Sequence, residues 1–237
     1  MKQMRINIFI LLLFACTNNL VAQKFNVQGV YYIISDTDKV NVTMPDTYRE
    51  RLRLYSDYLV IPDSVIIGEN VYCVCDIRDS FRGCTRLKNI RLPNTLQYII
   101  SMAFAGCKSL QQIELPDDIT CIYGKAFSGC KSLRVVKMPA KLRIIKDSAF
   151  EGCIHLERLE IPKDVVLIGD YAFEGCKRLR EIYVYSPIPP ELETTDSTVT
   201  IFSGVNKSVT IHVPKGTKTL YLSTAGWRDF DNYIDDL

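Results

Sequence analysis

The motif Phe-x-Gly-Cys occurs at Phe81, Phe104, Phe127, Phe150 and Phe173, and every step between copies is 23 residues. The glycines (Gly83, Gly106, Gly129, Gly152, Gly175) and cysteines (Cys84, Cys107, Cys130, Cys153, Cys176) hold the same register. A proline follows 12 residues after each of the first four phenylalanines, at Pro93, Pro116, Pro139 and Pro162. A fixed period of this length means equal supersecondary units, none of which can bury its apolar face alone. The chain must therefore stack, each unit covering the next.

Each unit carries its own strand signal. Three residues past each cysteine begins L-x-x-Φ-x-Φ, with Φ apolar: Leu87/Ile90/Leu92, Leu110/Ile113/Leu115, Leu133/Val136/Met138, Leu156/Leu159/Ile161 and Leu179/Ile182/Val184. The last two positions alternate in and out, as in a short strand. A second apolar pair follows (Leu96/Ile99, Ile119/Ile122, Leu142/Ile145, Val165/Ile168) and leads into Ala-Phe. Strands so stacked repeat at about 4.8 Å. The motif glycine is read as permitting a tight turn that a side chain would obstruct. The proline ends the strand without removing a central ladder bond.

Between residues 80 and 184 this pattern resembles the BspA-like leucine-rich repeats, also called the Treponema pallidum type, with consensus L-x-x-I-x-L-P-x-x-L-x-x-I-x-x-x-A-F-x-G-C. Ser80 departs from the alanine before Phe81, and Tyr185 from the proline of the fifth copy. The asparagine ladder of ordinary leucine-rich repeats is missing, its positions being Thr95, Asp118, Lys141 and Asp164. The resemblance implies a mostly β repeat solenoid, a right-handed superhelix with 23-residue repeats and a β-rich N-terminal cap. It also implies a non-catalytic, adhesin-like protein at the cell surface or secreted. The expected partner is a host matrix protein or another bacterial surface protein.

Four segments are expected. Residues 1–22 read as a signal peptide: Lys2 and Arg5 precede an apolar run over 6–14, too short to span a bilayer. Leu20-Val21-Ala22 before Gln23 resembles a cleavage site; in the alternative, Leu13-Phe14-Ala15-Cys16 resembles a lipobox and Cys16 carries lipid. No later apolar stretch is long enough for a transmembrane helix. Residues 23–79 form the N-terminal cap, strand-like over 25–34, 40–44, 58–61 and 71–77, with a charged loop over 46–53. Residues 80–185 hold five regular repeats. Residues 186–237 hold a degenerate sixth (Phe202-Ser203-Gly204, Val213-Pro214) and a C-terminal cap, where Trp227, Phe230, Tyr233 and Ile234 have helical spacing. The alternative for that tail is an aromatic ligand platform.

Charge is nearly balanced, with 29 Lys and Arg against 27 Asp and Glu, which gives no footprint for nucleic acid. The repeat cysteines are expected to pack as a buried column, since buried cysteine behaves as a small hydrophobe and parallel side chains bridge poorly. Cys73 and Cys75 lack a second ligand pair for zinc, so neither metal nor cofactor is expected. His155 is read as a solvated surface residue and His212 as facing out of a strand. No nucleophile, base or phosphate-binding motif supports an enzyme.

The outward strand positions carry the candidate site. One column reads Asn89, Gln112, Val135, Arg158, Glu181; its neighbour reads Arg91, Glu114, Lys137, Glu160, Tyr183. The alternating signs suit a cross-strand charge ladder. They also suit a concave partner-binding face of Arg91, Glu114, Lys137, Arg158, Glu160, Glu181, Tyr183 and Tyr185. A carbohydrate-binding module is the alternative, resting on Tyr183, Tyr185 and Trp227; a hydrolase is the least favoured reading. Asp63-Ser64-Val65, Asp147-Ser148-Ala149 and Asp196-Ser197-Thr198 resemble O-glycosylation acceptors, against a simpler reading as turns and caps.

Overall fold

The computed structural model describes residues 24–43, 55, 57–78, 80–193 and 201–237. The leader with Cys16, the loop over 46–53 and the Asp196-Ser197-Thr198 triplet lie outside the described residues.

The chain opens with β1 (Lys24–Val27), β2 (Val30–Asp36) and β3 (Lys39–Thr43), an antiparallel meander. β4 (Asp57–Val60), β5 (Ser64–Ile67) and β6 (Asn70–Ile77) follow. Each repeat then supplies two strands. The L-x-x-Φ-x-Φ segments become β7 (Leu87–Arg91), β9 (Gln112–Glu114), β11 (Val135–Lys137), β13 (Arg158–Ile161) and β15 (Glu181–Val184). The second apolar pairs feed β8 (Tyr98–Ile99), β10 (Cys121–Ile122), β12 (Ile144–Ile145) and β14 (Leu167–Ile168). β16 (Glu191–Leu192), β17 (Thr210–Val213) and β18 (Asn232–Asp235) complete the set.

Equivalent residues pair with one another. Ile99, Ile122, Ile145 and Ile168 face each other in turn along a mixed sheet of order β1-β2-β3-β6-β8-β10-β12-β14-β16, parallel from β3 onward, with β5 added antiparallel to β6. On the opposite side Ile90, Ile113 and Val136 align in the sheet β4-β7-β9-β11. Leu159, Ile182, Ile211 and Tyr233 align in a second panel, β13-β15-β17-β18. Among the described residues, helix is limited to α1 (Lys218–Ser223) and a single 3-10 turn, Trp227–Asp229.

The core lies between the two sides. Phe81, Phe104, Phe127, Phe150, Phe173 and Phe202 stack with centroids 5.1 to 5.5 Å apart and ring planes within 13°. That spacing exceeds the strand repeat because near-parallel rings slide into an offset stack. Tyr55 closes one end edge-on to Phe81, and Phe230 the other edge-on to Phe202. The thiols run alongside. The S–H of Cys107 donates to the Phe81 carbonyl at 2.9 Å, and Cys130, Cys153 and Cys176 repeat this toward Phe104, Phe127 and Phe150 at 3.2 to 3.3 Å. Cysteine thus gives each turn a small apolar filler whose weak donor meets a buried carbonyl.

The motif glycine has a different reason from the one expected. A Cβ on Gly129 would lie 3.8 Å from the Gly106 Cα, an ordinary contact, so there is room. The backbone is the constraint: Gly83, Gly106, Gly129, Gly152 and Gly175 have φ between +68° and +75°. Gly129→Ala is therefore expected to cost about 1–2 kcal/mol, the penalty of a left-handed L-residue. Gly129→Asn should cost less; urea melts of both variants check the order. A second left-handed series contains no glycine: Met102, Lys125, Ser148 and Tyr171 have φ of 55° to 63°. Three of their amides are held across turns: Met102 N–H donates to Gly124 O at 3.2 Å, Lys125 N–H to Asp147 O at 2.9 Å and Ser148 N–H to Asp170 O at 2.7 Å.

One expectation is corrected here. The tail spacing does not make a helix: Trp227 opens the 3-10 turn, and Tyr233 and Ile234 belong to β18. The proline-rich segment sets this geometry, because its carbonyls find partners in aromatic tips. Trp227 Nε1–H donates to Pro190 O at 2.9 Å, and Tyr221 O–H to Ser186 O at 2.8 Å. Ser148 is buried beneath its turn, so Asp147-Ser148-Ala149 offers no accessible hydroxyl, whereas Ser64 is exposed at the start of β5.

Candidate interaction face

Short strands with alternating burial leave two outward columns, and strand register fixes their membership. The first runs Tyr58, Asn89, Gln112, Val135 on one panel, then Arg158, Glu181, Thr210, Asn232 on the other. The second pairs Val60 with Arg91 and Glu114 with Lys137, and continues through Glu160, Tyr183, His212 and Ile234.

On the first panel, Tyr58, Asn89, Arg91, Glu114, Val135 and Lys137 line an open groove of about 640 Å³. Tyr58 is 62% exposed and Val135 57%, so two large apolar side chains stand in it uncovered. Charges surround them. Lys137 Nζ pairs with Glu114 Oε1, and this hydrogen bond and charge hold the ammonium above the usual lysine range. Arg91 makes no ion pair with another described residue within 4.0 Å, so its guanidinium faces the groove uncommitted.

On the second panel the side chains engage one another. Arg158 binds Glu160 in its own strand at 2.8 Å and reaches Glu181 at 3.9 Å. Its Cζ lies 3.8 Å from the centre of the Tyr183 ring. His212 stacks on Tyr183 at 4.1 Å, from the next strand, and its Nδ1 lies 3.0 Å from Asp236 Oδ1. Tyr183 O–H donates to Glu181 Oε2 at 3.2 Å. Tyr185 stands exposed beyond the strand, its N–H bound to Ile161 O.

The structure thus brings Arg91, Glu114 and Lys137 into one groove and Arg158, Glu160, Glu181 and Tyr183 into a separate cluster. The charge ladder closes across strands at Glu114–Lys137 and, at 3.9 Å, at Arg158–Glu181; Arg158 meets Glu160 more closely because it sits two residues away on the same face. His212 does occupy an outward column but is only 8% exposed, covered by Tyr183 and Asp236. His155 is half-buried, with Nδ1 2.6 Å from Lys131 O. Trp227 is fully buried and is no surface platform. Sequence reasoning missed Tyr58, which it read as part of a capping strand; its position opposite Asn89 follows from a pairing made 31 residues along the chain. Among the described residues no group of three or more His, Cys, Asp or Glu converges as a metal site would need, and no helix is long and apolar enough to cross a membrane.

A stack in which every turn lends two outward side chains to one surface, and no turn closes a cleft, is the architecture of a leucine-rich repeat protein. Six copies of the BspA type leucine-rich repeat region match over residues 76–189, which makes that stretch a BspA-type repeat array. The Treponema pallidum leucine-rich repeat protein has the same fold: 18% identity over 91% of this chain and 83% of its own, with a TM-score of 0.52. A leucine-rich cell surface protein of Faecalibacterium prausnitzii A2-165 aligns at 19% identity over 81% and 70%, with a TM-score of 0.43. A leucine-rich repeat protein of Bacteroides capillosus aligns at 22% over 68% and 97%, with a TM-score of 0.42. No curated protein matches the chain.

Proposed function

We propose that this chain is a non-catalytic, exported protein that binds a partner protein through the two-column face bearing Arg91, Glu114, Lys137, Arg158, Glu160, Glu181, Tyr183 and Tyr185. The observation that carries the reading is the groove: exposed Tyr58 and Val135 ringed by an uncommitted arginine and a Glu–Lys pair. Aromatic and arginine anchors inside a polar rim are the composition of protein-binding hot spots. In the same reading the array is a right-handed superhelix of 23-residue turns with this face concave. Residues 23–79 and 186–237 cap it, and residues 1–22 direct export, with Cys16 as the anchor in the lipoprotein variant. The partner is a host matrix protein or another bacterial surface protein. A glycan-capture role has less support, since Trp227 is buried and Tyr183 has Arg158 on one side and His212 on the other.

The test is binding of the purified chain to an array of matrix proteins, bacterial surface proteins and glycans. Tyr58→Ala and Glu114→Lys should each weaken a protein hit about tenfold or more, which corresponds to about 1.4 kcal/mol. A protein hit untouched by both variants places the binding site elsewhere, and hits confined to glycans favour the capture module.

A further inference from the structure

Eight cysteines are described, and they differ sharply in their surroundings. The five of the repeat column are buried in the stack. Cys121 stands alone in β10, half-buried. Cys73 and Cys75 are unlike the rest: they share a strand, and their sulfurs lie 3.1 Å apart. In a regular strand, residues two apart are about 6.6 Å apart at Cα, near the upper limit for bridging. Here the strand is bulged. Val40 pairs with Val74 and Asn41 with Asp76, so Cys75 is the extra residue and the strand bends around it.

The two thiols have different accessibility. Cys73 is half-exposed and Cys75 buried. Lys39 is the register partner of Cys73 on β3 and adds positive charge beside the sulfurs. Burial, and then Cys73 itself, push the Cys75 thiol up to about 12, so Cys73 is the thiol that meets an incoming reagent first. A bond between them would close a loop with one intervening residue, so it would hold no distant parts of the chain together. An accessible thiol next to a cation, backed by a resolving thiol, is the arrangement of exchange and redox-sensing cysteines.

We propose that Cys73 and Cys75 form a thiol–disulfide exchange site whose co-reactant is a small disulfide such as oxidised glutathione. The Cys73 thiolate attacks one sulfur of that disulfide; the new S–S bond forms at Cys73 and a glutathione thiolate leaves. The Cys75 thiol gives its proton to the leaving thiolate or solvent and attacks the Cys73 sulfur, and the second glutathione departs. The protein loses two protons and two electrons, and one glutathione disulfide takes them up as two thiols. The reverse sequence passes the bond to a dithiol.

Mass spectrometry of the folded chain after equilibration in glutathione buffers tests this. Arg53 and Arg78 bound a tryptic peptide whose only cysteines are Cys73 and Cys75. It should be recovered lighter by two hydrogens and resistant to alkylation under oxidising ratios, and doubly alkylated under reducing ones. Cys75→Ser should accumulate a single glutathionyl group on Cys73 where the wild-type chain passes through it. Two results overturn the proposal: a peptide that stays doubly alkylable even in fully oxidised glutathione, or a bond that forms but does not reopen in reducing glutathione.

Discussion

Phe127→Ala should destabilise the chain by about 3–5 kcal/mol, the usual cost of deleting a fully buried aromatic ring. The magnitude follows from its place in the stack. Phe127 is fully buried, with Phe104 at 5.3 Å on one side and Phe150 at 5.2 Å on the other. Truncation uncovers a face on each neighbour, and neither can close the gap. Both are pinned by their own turns, through hydrogen bonds such as Phe104 N–H to Ala126 O at 2.8 Å and Phe150 N–H to Ala172 O at 2.7 Å. Urea melts measure the loss; a value under about 1 kcal/mol would falsify the placement of this column in the core.

Trp227→Ala should cost a similar amount, about 3–5 kcal/mol, but spend it at one end of the molecule. Trp227 packs against Phe202 at 5.7 Å and edge-on to Tyr221 at 5.4 Å, and its N–H satisfies the Pro190 carbonyl. In a stack whose turns touch only their neighbours, loss of the terminal contact frays the adjacent strands first. Amide exchange should therefore accelerate in β17 and β18 while β9 stays protected. Equal acceleration in β9 would mean that the array unfolds as one unit and that the C-terminal segment has no local role. Trp227→Phe isolates the hydrogen bond: the apolar contact is largely kept, and the orphaned Pro190 carbonyl should cost about 1–3 kcal/mol.

Much of this was legible because the repeat writes the same constraints several times over. Phe, Cys and the two apolar pairs of each turn occupy equivalent places, and their spacing alone assigns Leu87, Ile90 and Ile99 to the interior, where they lie. What was not legible depends on choices made between turns. Met102, Lys125 and Ser148 adopt left-handed φ without a glycine to announce it, because cross-turn hydrogen bonds from their amides over-determine the backbone. The tail spacing suggested a helix, since i, i+3 and i+6 can be read so; buried carbonyls of the proline segment drew the aromatics into a turn and a strand instead. In the face, the columns were legible, but not that Arg158 would choose Glu160 and the Tyr183 ring over a partner across the gap. Tyr58 escaped because its strand lies outside the repeat and joins the face only by pairing with β7.

The hydrogen bonds from Cys107, Cys130, Cys153 and Cys176 to phenylalanine carbonyls each span 26 residues, from Cys107 to Phe81 as from Cys176 to Phe150. The four joints from Phe81 to Phe173 therefore share the same fastener in the same place, alongside the same ring stack. Within that buried interior nothing identifies which turn is which; only the outer face does, where β11 and β13 belong to different panels. Removing or duplicating one whole turn would present each remaining end with the surface it already fits, so the length of the outer face can change by recombination while the two ends stay as they are.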